Sequence, residues 1–433
     1  MTALQRMPGS SGPRFLRRGP LRNAVANFAN FANFANFANL ASLAVLAVLA
    51  GLAGCSTLPM WMVAQGGSRV SDHRHFDNAP LAPATAPLPL PERAATLQWP
   101  GGADTAAAET MLAGHQTLAL LVIRRGELIY ERYFNGHTRT SVSGSMSVAK
   151  SVVSALVGIA VAEGRIASLD EPVTRWLPEL LGNDPRFGQI TLRHLPLMRS
   201  GIAFDEGYGS PFSEAARFYL TDNLQSEVRR LRIKAPPDQA YDYKSGDTQL
   251  LAMALQRAVG QPLPRYAESR LWQPMGAEHS ASWSLDSAAQ GQVRAFCCIN
   301  ATAVDFARFG LLYLNGGQAA GRTVVPADWV RDSTAAQNRP GADEAARGNI
   351  ERPGQLGMAY YGWQWRRAPV PAVPGVAPGS PLRPPGDDFY AQGLHGQFVY
   401  IAPATQTVIV RLGAAYGPLH WPTWMGRVAQ LNP

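Results

Sequence analysis

The folded part of the chain reads as strands at both ends with helices between. Leu118–Arg124, Gly126 and Leu128–Tyr133 follow the pattern of a β-hairpin around a glycine turn. Near the other end, Gly362–Arg366, Phe398–Ala402 and Thr407–Leu412 have strand texture. The middle, about 165–330, reads as mostly helical, with Leu250–Val259 and Ala303–Leu314 its clearest helices. An apolar run from Ser147 to Glu163, closed by Gly164, predicts a further, buried helix. Such an order implies that the first and last strands share one sheet. The expected class is α/β (α+β): an antiparallel sheet of N- and C-terminal strands flanked by helices, plus a mostly helical lobe. A cleft between two lobes is a usual ligand site. Ala368–Asp388, rich in Pro and Gly, predicts a long loop.

The first 54 residues have another character. They hold five arginines and no acids, an Asn-Phe-Ala triplet repeated from Asn27 to Ala38, and an apolar run from Leu40 to Ala53. That run is short for a membrane span. It ends in Leu52-Ala53-Gly54-Cys55, which resembles a bacterial lipobox, so residues 1–54 read as a lipoprotein signal peptide and Cys55 as the lipidated residue. Residues 55–104, rich in Pro and Ala, then read as a tether, and 105–428 as the working domain. The expected location is the periplasmic side of a bacterial envelope, with the membrane as a partner through Cys55.

Composition narrows the function. At 46% hydrophobic and 16% charged, the chain has a large core and is not generally disordered. Of the formal +8, five charges belong to the leader, and no Lys/Arg block tracks a phosphate backbone, so nucleic acid is not an expected partner. With Cys55 lipidated, Cys297 and Cys298 remain. Adjacent cysteines seldom bridge, because a disulfide's usual Cα separation exceeds one peptide span. No Cys/His spacing suits zinc, and no metal or cofactor is implied.

Only three lysines occur, against 36 arginines, and one lies three residues after a serine: Ser147-Val148-Ala149-Lys150. Arg stays protonated in a protein, whereas a buried Lys can act as a base. At a helix start the two side chains sit one turn apart on one face, the geometry of a serine activated by an amine. Two further clusters stand out. Tyr241-Asp242-Tyr243-Lys244-Ser245 offers a phenol for proton relay. Tyr390-Ala391-Gln392-Gly393-Leu394-His395-Gly396-Gln397 offers a backbone that a ligand can approach closely.

In this order and spacing the three clusters resemble the motifs of the serine β-lactamase and penicillin-recognising superfamily. The resemblance is to its class C-related branch, with family VIII esterases and 6-aminohexanoate-dimer hydrolases. Leu169–Val173, Ile190–Leu195, Ser200-Gly201 and Ile299–Gly310 are similar to further stretches of that branch. The resemblance implies that Ser147 is the nucleophile, Lys150 the base and Tyr243 the proton relay, with Ser245 holding the Lys/Tyr pair in place. It places the oxyanion at the backbone N–H groups of Ser147 and Leu394, beside Gly393. Tyr208 and His395 are candidates for substrate contact.

One departure narrows the substrate. The β-lactamases carry Lys-Thr/Ser-Gly as third motif; here Ala391-Gln392-Gly393 corresponds, and no lysine follows Lys244. The expected activity is therefore serine hydrolysis of a carboxylic ester or linear amide, as in 6-aminohexanoate-dimer hydrolases. The alternatives are a D-alanyl-D-alanine carboxypeptidase or weak β-lactamase and, in another class, a non-catalytic binding lipoprotein.

Overall fold

The computed structural model describes residues 59–93, 95–338, 360–369 and 385–432. The signal segment, the Asn-Phe-Ala repeat and Cys55 lie outside the described residues. Among the described residues no helix is long and apolar enough to cross a membrane.

In chain order the elements that matter are β1 (Asn78–Leu81), α1 (Thr105–Gly114), β2 (Thr117–Arg124), β3 (Glu127–Tyr133), β4 (Ser143–Gly144) and α2 (Val148–Ala162). There follow α3 (Ser245–Val259), β5 (Ala281–Ser284), β6 (Ile299–Ala301) and α4 (Ala303–Leu314). The last third holds β7 (Tyr360–Tyr361), β8 (Arg366–Pro369), β9 (Pro385–Gly393), β10 (Gln397–Ala402), β11 (Thr407–Gly413) and α5 (Trp421–Leu431).

As expected, the ends meet. One seven-stranded sheet runs β7-β8-β9-β10-β11-β2-β3, antiparallel at every step. Its central strands alternate with period two. Ala119, Leu121, Ile123, Val399, Ile401, Val408 and Val410 face one core, with α2 and α4. Leu120, Val122, Phe398, Tyr400 and Ile409 face a second, with Leu112 of α1 and Trp421, Trp424 and Met425 of α5. All eight residues of β2 are buried, so Leu118–Ile123 form a continuous apolar run rather than an alternation. A second sheet, β1-β5-β6-β4, braces the loop before α2.

Three expectations need correction. Residues 59–104 are not a tether. β1 pairs antiparallel with β5, Leu81, Leu97 and Trp99 are at most 5% exposed, and Trp61 stacks on His75. The Pro/Ala composition masks a few large apolar side chains, each stabilising by about 1.5–3 kcal/mol when buried. Of the expected strand Gly362–Arg366 only Arg366 enters β8; Gly362–Trp365 form the turn between β7 and β8. Gly362 N–H donates to the Trp365 carbonyl and Trp363 N–H to that of Ser333, and Gln364 has φ 67°, so these groups are withdrawn from any ladder. Finally, Cys297 and Cys298 are bonded to each other. The backbone reaches this by placing Cys298 at φ 75°, with Cα atoms 3.7 Å apart.

Candidate active site

α2 is buried along nearly its whole length, yet Ser147 at its start is the only residue of 143–160 that is not buried. The preceding turn makes that possible. Met146 takes φ 46°, a left-handed conformation that costs a non-glycine residue about 1–2 kcal/mol, and lifts the serine out of the chain path. β6 holds the turn from behind: Ser145 N–H donates to Ile299 O at 2.7 Å and Ile299 N–H to Ser145 Oγ at 3.2 Å.

One turn on, Lys150 is 1% exposed. Its Nζ lies 3.0 Å from Ser147 Oγ, 3.2 Å from Ser245 Oγ and 2.8 Å from the Phe296 carbonyl. Tyr243 flanks the amine, with Nζ 5.1 Å from its ring centroid. Its ring is 8% exposed and stands edge-on to Tyr361. Ser245 opens α3, so two helix starts, α2 and α3, face each other across one amine. Lys244, just before α3, and Asp247 on its first turn are buried here as well. Lys244 Nζ is 3.3 Å from Asp242, and Asp247 accepts from Ser200 Oγ at 2.6 Å. Burial pushes the Asp247 carboxyl up to about 7, against the pull of Lys244.

The third motif comes in as the end of β9. A β-carbon on Gly393 would lie 2.5 Å from the Ser145 carbonyl oxygen and 3.0 Å from the Ser147 nitrogen, so this strand touches the backbone of the candidate nucleophile. Leu394 and His395 turn away at once into β10, His395 with φ 63°. The ring of His395 is bonded to Ser68 Oγ at 3.2 Å, which ties the N-terminal segment to this motif. Burial lowers its pKa. Gly396 gives its carbonyl to the buried Arg411 at 2.7 Å. No lysine stands at the third motif; the guanidinium of Arg366, on neighbouring β8, lies 5.6 Å from the Tyr243 ring centroid instead.

Tyr208 sits on an irregular loop. Its side chain is 42% exposed, but its hydroxyl turns inward and donates to Glu206. Burial of that hydroxyl, and then the Glu206 carboxylate, push its pKa well up. Glu206 is the residue that reading the sequence missed. It is fully buried and grips Ser245 with both oxygens, Oε2 to the backbone N–H and Oε1 to the hydroxyl, each at 2.6 Å. Nothing local marks it, because its partner lies 39 positions away. The structure thus brings Ser147, Lys150, Tyr243, Ser245 and Gly393 together, with Glu206 behind them. It turns the ring of His395 to Ser68. Among the described residues no cluster of His, Cys, Asp and Glu could hold a metal.

Comparison with known proteins adds five findings. The family model described as Beta-lactamase matches residues 104–419. A 6-aminohexanoate-dimer hydrolase from Paenarthrobacter ureafaciens is 27% identical over 70% of this chain and 75% of its own length. Esterase EstB from Burkholderia gladioli is 31% identical, over 40% of this chain and 48% of its own. Among solved structures, a putative 6-aminohexanoate-dimer hydrolase from Bacillus anthracis superposes with TM-score 0.67 at 24% identity, covering 84% of this chain and 93% of that one. A class C beta-lactamase mutant superposes with TM-score 0.55 at 15% identity, covering 75% and 94%.

Proposed function

The chain belongs to the beta-lactamase family of serine hydrolases, and on that premise we propose that it cleaves a carboxylic ester or a linear amide through an acyl-enzyme on Ser147. The Oγ of Ser147 attacks the substrate carbonyl while Lys150 takes its proton. The tetrahedral oxyanion is held by the N–H groups of Ser147 and Leu394, donors of a kind each worth about 2.7–4 kcal/mol. Collapse breaks the ester or amide bond, and the proton passes by way of Tyr243 to the departing alcohol or amine. Water then attacks the acyl carbonyl with the same groups working in reverse. The observation that carries this reading is the Lys150 Nζ–Ser147 Oγ contact of 3.0 Å in a pocket that buries the amine.

The absence of a third-motif lysine speaks for linear substrates over penicillins. So does the likeness to a 6-aminohexanoate-dimer hydrolase and to an esterase. The test is a panel of p-nitrophenyl esters of rising chain length, short amide dimers including that of 6-aminohexanoate, and nitrocefin, on wild type and Ser147→Ala. Turnover of esters or amides that vanishes in Ser147→Ala supports the proposal. Covalent trapping of a fluorescent penicillin with no ester or amide turnover favours the carboxypeptidase reading. Tight binding with no turnover at all favours a binding protein. Attachment to a bacterial envelope through Cys55 belongs to the same proposal and rests on Leu52–Cys55; incorporation of a fatty-acid label by wild type and by Cys55→Ala tests it.

A further inference from the structure

Lys150 faces three oxygen atoms, and what each can do differs. The Phe296 carbonyl can only accept. Ser147 Oγ is the atom that must give up a proton. Ser245 Oγ has one proton and could in principle donate or accept. Its environment decides: the hydroxyl points at Glu206 Oε1 at 2.6 Å while its own backbone N–H occupies Oε2 at 2.6 Å. A carboxylate only accepts, so the Ser245 proton belongs to Glu206, and toward Lys150 the oxygen offers lone pairs alone.

The consequence for the amine is stereochemical. Neutral Lys150 has two hydrogens and one lone pair. The hydrogens go to the two acceptors, Phe296 O at 2.8 Å and Ser245 Oγ at 3.2 Å. The remaining tetrahedral direction, the lone pair, is left for Ser147 Oγ at 3.0 Å. If the Ser245 proton were free to turn, it would donate to that lone pair and compete with the nucleophile for it.

We infer that Glu206 is a positioning residue of this site, taking the Ser245 proton so that the Lys150 lone pair is kept for Ser147. The inference rests on the proposed roles of Ser147 and Lys150. Glu206 is 0% exposed, and Ser245 is 2% exposed, so water does not supply a substitute acceptor. The same carboxylate accepts from Tyr208, two residues on in the same loop. One buried group therefore sets the aim of the base and holds the Tyr208 hydroxyl. A purely structural account also exists, since Glu206 satisfies the first N–H of α3 and a negative charge suits a helix start.

Glu206→Gln separates the two accounts. Its carbonyl oxygen can still receive the Ser245 N–H, while its amide nitrogen now donates to Ser245 Oγ and turns the hydroxyl proton toward Lys150. The measurement is the rate of Ser147 phosphonylation by a fluorophosphonate probe, with kcat and KM on a p-nitrophenyl ester, in wild-type and Ser245→Ala backgrounds. Glu206→Gln is expected to slow labelling and kcat about 10- to 100-fold with KM little changed, and to have almost no effect once Ser245 is Ala. Equal losses in both backgrounds, or wild-type rates in the first, overturn the inference. Should Glu206→Gln not fold, Glu206→Asp, whose shorter carboxylate cannot grip both groups, is judged by the same comparison. Ser147→Ala is the control: labelling that persists there refutes the site assignment itself, whereas lost labelling there beside unaffected Glu206 variants refutes only the positioning role.

Discussion

Gly393 and Ser147 meet through their backbones. A single methyl group on Gly393 would lie 3.0 Å from the Ser147 nitrogen and 2.5 Å from the oxygen of Ser145. Backbone atoms on both sides leave nothing flexible to yield. Gly393→Ala should therefore push β9 away from the start of α2 and displace the N–H groups assigned to the oxyanion. We expect kcat to fall about 100-fold, with thermal stability lowered by a few degrees. Steady-state kinetics on the best ester of the panel checks this; an unchanged kcat would place the oxyanion elsewhere.

Lys150→Arg keeps a long nitrogen-bearing side chain and removes the lone pair that takes the Ser147 proton. Lys150 is 1% exposed and its Nζ lies within 3.2 Å of the Ser245 hydroxyl and the Phe296 carbonyl, so the larger guanidinium also fits poorly. A loss of at least about 1000-fold in kcat is expected, and raising the pH should not restore it. Single-turnover acylation followed to pH 10 gives the answer.

Asp247 gives a pH prediction for stability. Its folded-state pKa is raised from 3.8 to about 7 by burial. Between those values the folded state holds a proton that the unfolded state has released, so stability falls as pH rises through this window, by at most about 1.4 kcal/mol per pH unit for one group. Above the window the full penalty remains. Asp247→Asn keeps the shape and removes the titration. Urea midpoints from pH 4 to 8 should decline for wild type relative to the variant; parallel curves would refute the assignment.

Trp99 tests whether the N-terminal segment belongs to the fold. It stacks on Trp424 at 5.8 Å and meets Tyr130 edge-on at 5.1 Å. Trp99→Ala should cost about 3–5 kcal/mol, read by chemical denaturation. In a tether the same change would cost nothing.

Gly158 is the last case. On α2 a β-carbon would meet the flat ring of Trp329 at 2.3 Å. Alanine normally gains about 1 kcal/mol over glycine in a helix, but overpacking here costs about 1–3 kcal/mol. Gly158→Ala should thus destabilise, and Gly158→Ala with Trp329→Leu should recover part of the loss.

How much of this was legible in the sequence follows chain distance. The hairpin β2–β3, the helix after Ser147 and the sharing of one sheet by both ends come from local periodicity. Ser147 and Lys150 are three residues apart, and helix geometry alone puts them in contact. The other partners of the amine are remote: Ser245 at 95 positions and Phe296 at 146. The Tyr243 phenol stands out from its own cluster, but only the motif resemblance ties it and Ser245 to Lys150, and the Phe296 carbonyl is not legible at all, because a backbone acceptor has no residue signature. Glu206 had a side chain to read but no local pattern around it. His395 drew attention as a polar residue beside the third motif; its bond to Ser68, 327 positions away, depends on a segment whose composition looked unstructured. The bonded Cys297 and Cys298 depend on one left-handed backbone angle, which residue types do not specify.

The seam between β11 and β2 has a consequence for how the molecule is made. These strands pair from Thr407↔Arg124 to Gly413↔Thr117, so the middle of the large sheet joins segments almost 290 residues apart. A nascent chain that has reached α4 already holds the β2–β3 hairpin, but one edge of β2 lacks its neighbour until nearly the last residues emerge. For that interval a strand with six apolar residues in a row, Leu118–Ile123, presents open backbone groups to whatever is near, the situation in which chains pair wrongly with each other. Expression yield should therefore respond to temperature and chaperone supply more than the finished fold's stability would suggest.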